Sequence, residues 1–392
     1  MQYVLGNMLN GGGGLGKPSI SSMAFMGDSI TEYVGTTLND YEASGYASWI
    51  YALTGCSFDF IPSATKLAFA TGGFTTTQIG ATWLAPAIAS SADSIFVLEG
   101  INDSATQTSQ QTADRILTHW LAIKSAGKTP IGSSIWPVVG NATKSAWIVA
   151  TNAILRSHAS GNGIKFCDWT GEIENVPNSN TGVSNTTWLP DNVHPGLAGA
   201  IKMGQFAARF LRQKARLTFD PYAGKVALSR NPQFAGSAGQ ANDFNAPFIP
   251  TGATLNSKTL VADPVTGGNW WQLDINQGTA PLSSTSSIQH NFAAAPDLTG
   301  ETVIGIVEIE VLSGQLAFAR AIASYTVGTT TRRSHIANAS TSTTGVLTSA
   351  DGLIRFRTRP MTIPSLVTYY TLSCQFSGTA VIRIRRCGLY RA

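Results

Sequence analysis

Ser22-Met23-Ala24-Phe25-Met26-Gly27-Asp28-Ser29-Ile30-Thr31 decides how the first half of the chain reads. An apolar run of strand length ends at a glycine, and an acid and a serine follow at its mouth. Working outward, Phe58–Ile61, Ser94–Leu98, Pro130–Ile135 and Ile164–Asp168 read as further strands. Tyr46–Leu53, Thr82–Ala89, Thr112–Ser125, Ala146–His158 and Gly196–Arg216 carry helical periodicity between and after them. Alternation of this kind implies a parallel sheet covered on both faces. Ser29, Asn102 and Trp136 then fall just beyond strand C-termini, the edge where open α/β sheets place their sites.

A serine hydroxyl is a poor nucleophile at neutral pH and needs a base, itself oriented by an acidic partner. Asp191-Asn192-Val193-His194-Pro195 supplies a carboxylate and an imidazole three residues apart. None of the other four histidines has an acid three positions before it. Attack on an ester carbonyl creates an oxyanion that needs donors aimed at it. Gly100-Ile101-Asn102-Asp103, after a strand, offers a side-chain amide. Thr71-Gly72-Gly73-Phe74-Thr75-Thr76 offers a glycine N–H with no Cβ in the way.

Taken in chain order, Gly27–Thr31, Gly73, Gly100–Asp103 and Asp191–Pro195, these four blocks resemble the SGNH (GDSL-like) hydrolase family over roughly residues 20–216, about half the chain. The resemblance implies a flavodoxin-like three-layer α/β/α fold that needs no cofactor or metal. It makes Ser29 the nucleophile, His194 the base and then the acid, and Asp191 the residue that orients His194. Ser29 N–H, Gly73 N–H and the Asn102 side chain become the oxyanion hole. Trp136, after the fourth strand, and Trp188, three residues before Asp191, are candidates to wall the substrate site.

From Thr218-Phe219-Asp220-Pro221 onward the helix signals vanish. Glu301–Leu312, Gln315–Ala323, Leu353–Arg359, Leu366–Phe376 and Ala380–Leu389 read as strands between Gly, Ser and Thr turns, which implies an all-β sandwich of jelly-roll type. The division expected is a flexible lead-in over 1–17, a hydrolase domain over 18–216 and a β domain over 217–392. Residues 217–392 hold 13 Lys and Arg against 9 Asp and Glu, whereas residues 1–216 are balanced at 13 each, so the net +4 lies in the second half. Ile354-Arg355-Phe356-Arg357-Thr358-Arg359 and Ile382-Arg383-Ile384-Arg385 put arginines on one face of their strands. That face is either a basic surface for an acidic polysaccharide, a solvated sheet face or a subunit contact. Of Trp270 and Trp271, adjacent on a strand, at most one is exposed for a sugar ring.

Composition excludes several classes. Gly11–Lys17 has the spacing of a phosphate loop, but Pro18 and a strand pattern follow, so nucleotide binding is set aside. The four cysteines, Cys56, Cys167, Cys374 and Cys387, include no Cys-x-x-Cys pair; Cys374 and Cys387 either meet on neighbouring strands or stay buried thiols. No stretch is long and apolar enough for a membrane span, and no leader pattern opens the chain. With charged residues at only 12%, an extracellular or virion-associated protein is expected, such as a phage tail protein released by lysis. The readings converge on a serine esterase removing acyl groups, foremost acetyl, from a carbohydrate or surface polysaccharide, with no nucleic-acid partner and room for a homo-oligomer. Two alternatives stand beside it. One is a lipid or small-ester hydrolase with a structural β domain, the other a receptor-binding virion protein on a hydrolase scaffold.

Overall fold

The computed structural model describes residues 17–32, 42–43, 45–169, 188–228, 232–237, 240–241, 244–264, 268–293, 299–327, 330–336, 347–365 and 367–392. The lead-in expected over 1–17 lies outside them except for Lys17. In the first half, β1 (Ser22–Gly27), β2 (Asp59–Phe60), β3 (Phe69–Ala70), β4 (Ser94–Leu98), β5 (Thr129–Ser133) and β6 (Lys165–Cys167) form one parallel sheet in the order β2-β1-β4-β5-β6. β3 occupies the same edge of β1 as β2, farther along it. Taking β2 and β3 as one position, this is the flavodoxin-like order, and the order reverses between β1 and β4.

Met23, Ala24, Phe25 and Met26 of β1 are all fully buried, as a strand covered on both faces requires. At its end β1 comes so close to β4 that a Cβ on Gly27 would stand 1.9 Å from the Leu98 carbonyl oxygen. Only glycine permits that approach. Among the described residues, α1 (Ser29–Glu32), α2 (Tyr46–Leu53), α3 (Ser109–Ser125), α4 (Ala142–Asn162) and α5 (Leu197–Lys214) lie between and after the strands, beside a further helix that starts at Thr76. α2 packs on α5 and α3 on α4, completing a three-layer domain. The helix expected over Thr82–Ala89 begins earlier, at Thr76, because Thr75 and Gln78 form a capping box there. It runs to Ala89 through a π-turn at Gly80–Leu84. Among the described residues no helix is long and apolar enough to cross a membrane.

The second half is antiparallel. β7 (Thr254–Ala262), β8 (Asn269–Asn276), β9 (Ser286–Ala293), β10 (Thr302–Val327), β11 (Thr330–Ile336), β12 (Leu353–Arg357) and β13 (Val367–Arg391) share one sheet. β10 and β13 pair along almost their whole length, with register shifts at Glu308/Ile309, Val311/Ser313 and Leu316/Phe318 that bend the pair. One side of the bend reads β7-β8-β13-β10-β12 and the other β9-β13-β10-β11. The two sides face each other: a Cβ on Gly305 would lie 2.6 Å from Leu372 and 3.5 Å from Ala323 across the core. The result is a two-layer sandwich cut from a continuous sheet. The breaks read at residues 313–314 and 377–379 are therefore not hairpin turns. Gly314 and Gly378 sit inside β10 and β13, next to the register shifts. Cys374 and Cys387 share the single strand β13, and both are free, buried thiols.

The two halves dock through β12. Phe356 is fully buried edge-on against Trp49 of α2. Arg355 donates to the Gly55 carbonyl and pairs with Glu308 at 2.7 Å, and the Cys56 thiol donates to the Arg355 carbonyl at 3.0 Å. Arg357 reaches Tyr51 Oη and Asp59, each at 3.2 Å. Arg355 and Arg357 thus help to hold the domains together, so of the alternatives open for that face neither the basic polysaccharide surface nor the solvated face describes these two residues. The second arginine pair is also engaged. Arg383 and Arg385 lie 4.8 and 4.7 Å from the centre of the Trp270 ring, while Trp271 is in the core.

Candidate active site

Asp28 ends the strand-to-helix turn in a buried position. Its carboxyl accepts the Ile30 N–H at 3.1 Å, and its carbonyl accepts those of Thr31 and Glu32. Burial pushes this carboxyl up to about 7, against the pull of hydrogen bonds from the Ile30 and Ile101 N–H groups; nearby Glu99 and Asp103 add to the rise. The Ser29 N–H is left without an acceptor among the described residues, at the start of α1.

His194 arrives from the other end of the domain. Its Nε2 lies 2.9 Å from Ser29 Oγ, and its Nδ1 lies 2.6 Å from Asp191 Oδ2. With its proton on Nδ1, His194 donates to Asp191 and offers Nε2 as acceptor for the serine hydroxyl. The other Asp191 oxygen accepts the backbone N–H groups of Val193 at 3.0 Å and His194 at 2.7 Å. Partial burial raises the Asp191 carboxyl, but the hydrogen bonds from the His194 ring, the His194 N–H and the Val193 N–H outweigh it and hold it below the usual range. The turn closes because Asn192 adopts φ +70°, a left-handed conformation Asn tolerates, and because the Gly196 N–H donates to the Trp188 carbonyl at 2.8 Å. Pro195 sits just outside α5, with Gly196 as its N-cap.

The Gly72–Gly73 turn approaches from the edge of β1. A Cβ on Gly72 would stand 3.6 Å from Ser29 Cβ. The Gly72 N–H is taken by Glu32 Oε2 at 2.5 Å, whereas the Gly73 N–H has no acceptor among the described residues. Gly73 has φ +77°, which favours glycine. Asn102 joins the same turn: its amide donates to the Phe74 carbonyl at 3.0 Å and retains a second N–H. Asp103 fixes this arrangement, accepting the Thr76 N–H at 2.8 Å and the hydroxyls of Thr76 at 2.5 Å and Thr112 at 3.1 Å.

A family model of the GDSL-like lipase/acylhydrolase family matches residues 25–200. The α/β domain is a GDSL-like hydrolase domain. No curated protein matches the chain. Among solved structures, this chain is similar to an acetylxylan esterase from Geobacillus stearothermophilus at 18% identity, covering 52% of this chain and 98% of that one, with a TM-score of 0.40. A putative GDSL-like lipase from Parabacteroides merdae matches at 15% identity, over 51% and 97% of the two chains, with a TM-score of 0.40. A putative lipolytic protein of the G-D-S-L family from Desulfitobacterium hafniense matches at 18% identity, over 49% and 99%, with a TM-score of 0.37.

The GDSL-like domain thus brings Ser29, Asp191, His194, Gly73 and Asn102 to one crevice beyond β1 and β4. Trp136 offers no ring surface to it. It is 2% exposed and packs edge-on against Trp169, so it is core and does not wall the site: its position beyond β5 set its place but not its direction. Trp188 is half-buried, with Lys202 Nζ 5.9 Å from its ring centre. Glu32 escaped the sequence reading. It also pairs with Lys66, whose ammonium reaches the Ala70 carbonyl at 3.1 Å. One signal was available: Glu32 follows Ser29 by three residues, so a helical turn sets the two side chains on one side.

Proposed function

We propose that the GDSL-like domain is a serine esterase that removes acetyl groups from a carbohydrate. The observation that carries the reading is the unbroken contact Asp191–His194–Ser29, at 2.6 and 2.9 Å; a proton on Nδ1, facing the carboxylate, leaves Nε2 as the base. His194 Nε2 takes the Ser29 proton as Oγ attacks the ester carbonyl. The tetrahedral oxyanion is met by the N–H groups of Ser29 and Gly73 and by the free N–H of the Asn102 amide. His194 then gives its proton to the departing sugar hydroxyl, leaving an acetyl-serine. Water, deprotonated by His194, releases acetate and restores Ser29.

A sugar substrate is favoured by how open the site is. The side chains of Asp191 and His194 are 53% and 27% exposed, a shallow setting that suits a hydrophilic polymer better than a long acyl chain. Such a polymer fits a protein acting outside its cell or on a virion surface. The test is acetate release across a panel of acetylated polysaccharides, with p-nitrophenyl acetate as reference. Ser29→Ala is expected to lower kcat about 10⁴-fold or more without lowering Tm. Retention of roughly a tenth of the rate would overturn the mechanism. Octanoyl esters turned over faster than acetyl esters would replace the sugar substrate with a lipid.

A further inference from the structure

A cavity of about 280 Å³ lies between the two domains. Its hydrolase-side wall is Tyr51 of α2 with Phe60, Ile61, Pro62 and Leu67; its other wall is Arg357–Pro360, just after β12. It runs beside the edge of the parallel sheet. β2 pairs with the first residues of β1, Ser22 and Met23, whereas Ser29 follows the last, so the cavity is separate from the crevice of the serine.

Its chemistry is mixed in a defined way. Phe60, Ile61, Pro62, Leu67 and Pro360 make most of the surface apolar. Arg357 and Arg359 bring two guanidinium groups, and Asp59 is the one carboxylate among the lining residues. Arg357 spends one terminal nitrogen on Asp59 and Tyr51, while its other terminal nitrogen, which is not buried, has no hydrogen-bond partner among the described residues. A carboxylate brought into the cavity can meet that accessible guanidinium nitrogen in a charge-assisted hydrogen bond. Size sets the scale: a dry apolar cavity of about 150 Å³ holds one benzene. The volume here accommodates a ring or short chain together with a carboxylate.

We infer that this interdomain cavity is a second ligand site, selective for a small carboxylate on an apolar body, held by Arg357 at the seam of the two domains. The ligand's carboxylate satisfies the guanidinium while its body covers the apolar wall. Because residues of both domains line the cavity, occupancy ties them together and raises the stability of the docked form.

Calorimetric titration of the full chain with benzoate tests this, with benzamide as the uncharged control of the same shape. Saturable benzoate binding is expected, with benzamide weaker by about tenfold or more, as loss of a charge-assisted hydrogen bond implies. Ile61→Trp fills the cavity without touching the Arg357 pairs and is expected to abolish binding; Arg357→Gln is expected to weaken it about tenfold or more. Asn102→Ala, in the serine crevice, is expected to leave it unchanged. Failure of benzoate to bind means the cavity holds water alone and overturns the inference, as does equal binding of benzamide. Binding lost in Asn102→Ala but kept in Ile61→Trp assigns the carboxylate to the ester site and overturns it too. Because the Ile61→Trp arm reads binding and not turnover, its outcome is independent of the esterase reading.

Discussion

In the parallel-sheet half, Ser29, Gly73, Asn102, Asp191 and His194 come from four separate stretches and meet at one strand-end crevice, where the Ser29 and Gly73 N–H groups have no acceptor among the described residues. In the antiparallel half, the residues that look equally capable of chemistry are mostly consumed. Arg355 is taken by Gly55 and Glu308, Arg357 commits one terminal nitrogen to the hydrolase domain and keeps the other for the interdomain cavity, and Arg383 and Arg385 lie over the Trp270 ring. A parallel sheet ends in loops whose backbone groups point into one crevice, so side chains delivered there stay available. A bent antiparallel pair of long strands satisfies its backbone along its length, and its charged side chains turn to neighbouring rings and to the other domain.

Phe356→Ala tests that division of labour with the largest expected effect. Removing a fully buried ring from the seam should cost about 3–5 kcal/mol of stability in urea unfolding. The kcat/KM of the remaining folded protein on p-nitrophenyl acetate should stay within about twofold, because the seam lies away from Ser29. A loss of activity in the folded fraction would mean that the β half shapes the site.

Asp28→Asn probes the opposite half through pH. The carboxyl is pushed up to about 7 when folded, from an ordinary 3.8. The native state therefore favours the protonated acid, and ionisation in the unfolded chain destabilises the fold as pH rises through that window. Asparagine mimics the protonated form and does not titrate. Relative to the wild type, Asp28→Asn should gain stability from pH 4 to 7, at most about 1.4 kcal/mol per unit, and nothing further above 7. Thermal melts of both proteins across pH 4–8 measure it; parallel curves would mean that Asp28 is ionised when folded.

Asn102→Ala sharpens the contrast between donors that are consumed and donors that are kept. Its amide holds the Phe74 carbonyl and has one N–H to spare. Losing an oxyanion donor should lower kcat by about 10²–10³, or about 2.7–4 kcal/mol, with a smaller change in KM. A fall in kcat under about threefold would take Asn102 out of the hole.

What the sequence disclosed follows from what chemistry demands of residue type. The Gly27–Thr31 and Asp191–Pro195 blocks are legible because a nucleophile, a base and an orienting acid must be those side chains. Trp136 misled because a place beyond a strand says nothing about whether the ring turns to solvent or to core. Arg355 and Arg357 stayed open among several readings because strand alternation fixes a shared face and is silent on what covers it. Gly314 and Gly378 were read as turns because a glycine inside a bulged strand leaves the same trace as one in a hairpin.

Glu32 was hidden for another reason: its spacing from Ser29 puts it on the serine's side of the turn, but its role is to hold a backbone N–H forty positions away, which that spacing does not reveal. Its carboxylate takes the Gly72 N–H at 2.5 Å and the Lys66 ammonium, and so sets the turn in which the next N–H, that of Gly73, has no acceptor among the described residues. Glu32→Ala should therefore lower kcat about tenfold while KM holds, since the turn loses its anchor but the substrate loses no contact. Glu32→Gln keeps an acceptor for the Gly72 N–H and gives up only the ion pair, so it should recover to within about threefold of the wild type. A merely structural role would lower Tm in both variants and leave kcat per folded molecule alone. Should Glu32→Gln prove as slow as Glu32→Ala, the charge and not the hydrogen bond would be what holds the turn, and Lys66→Met should then reproduce the defect.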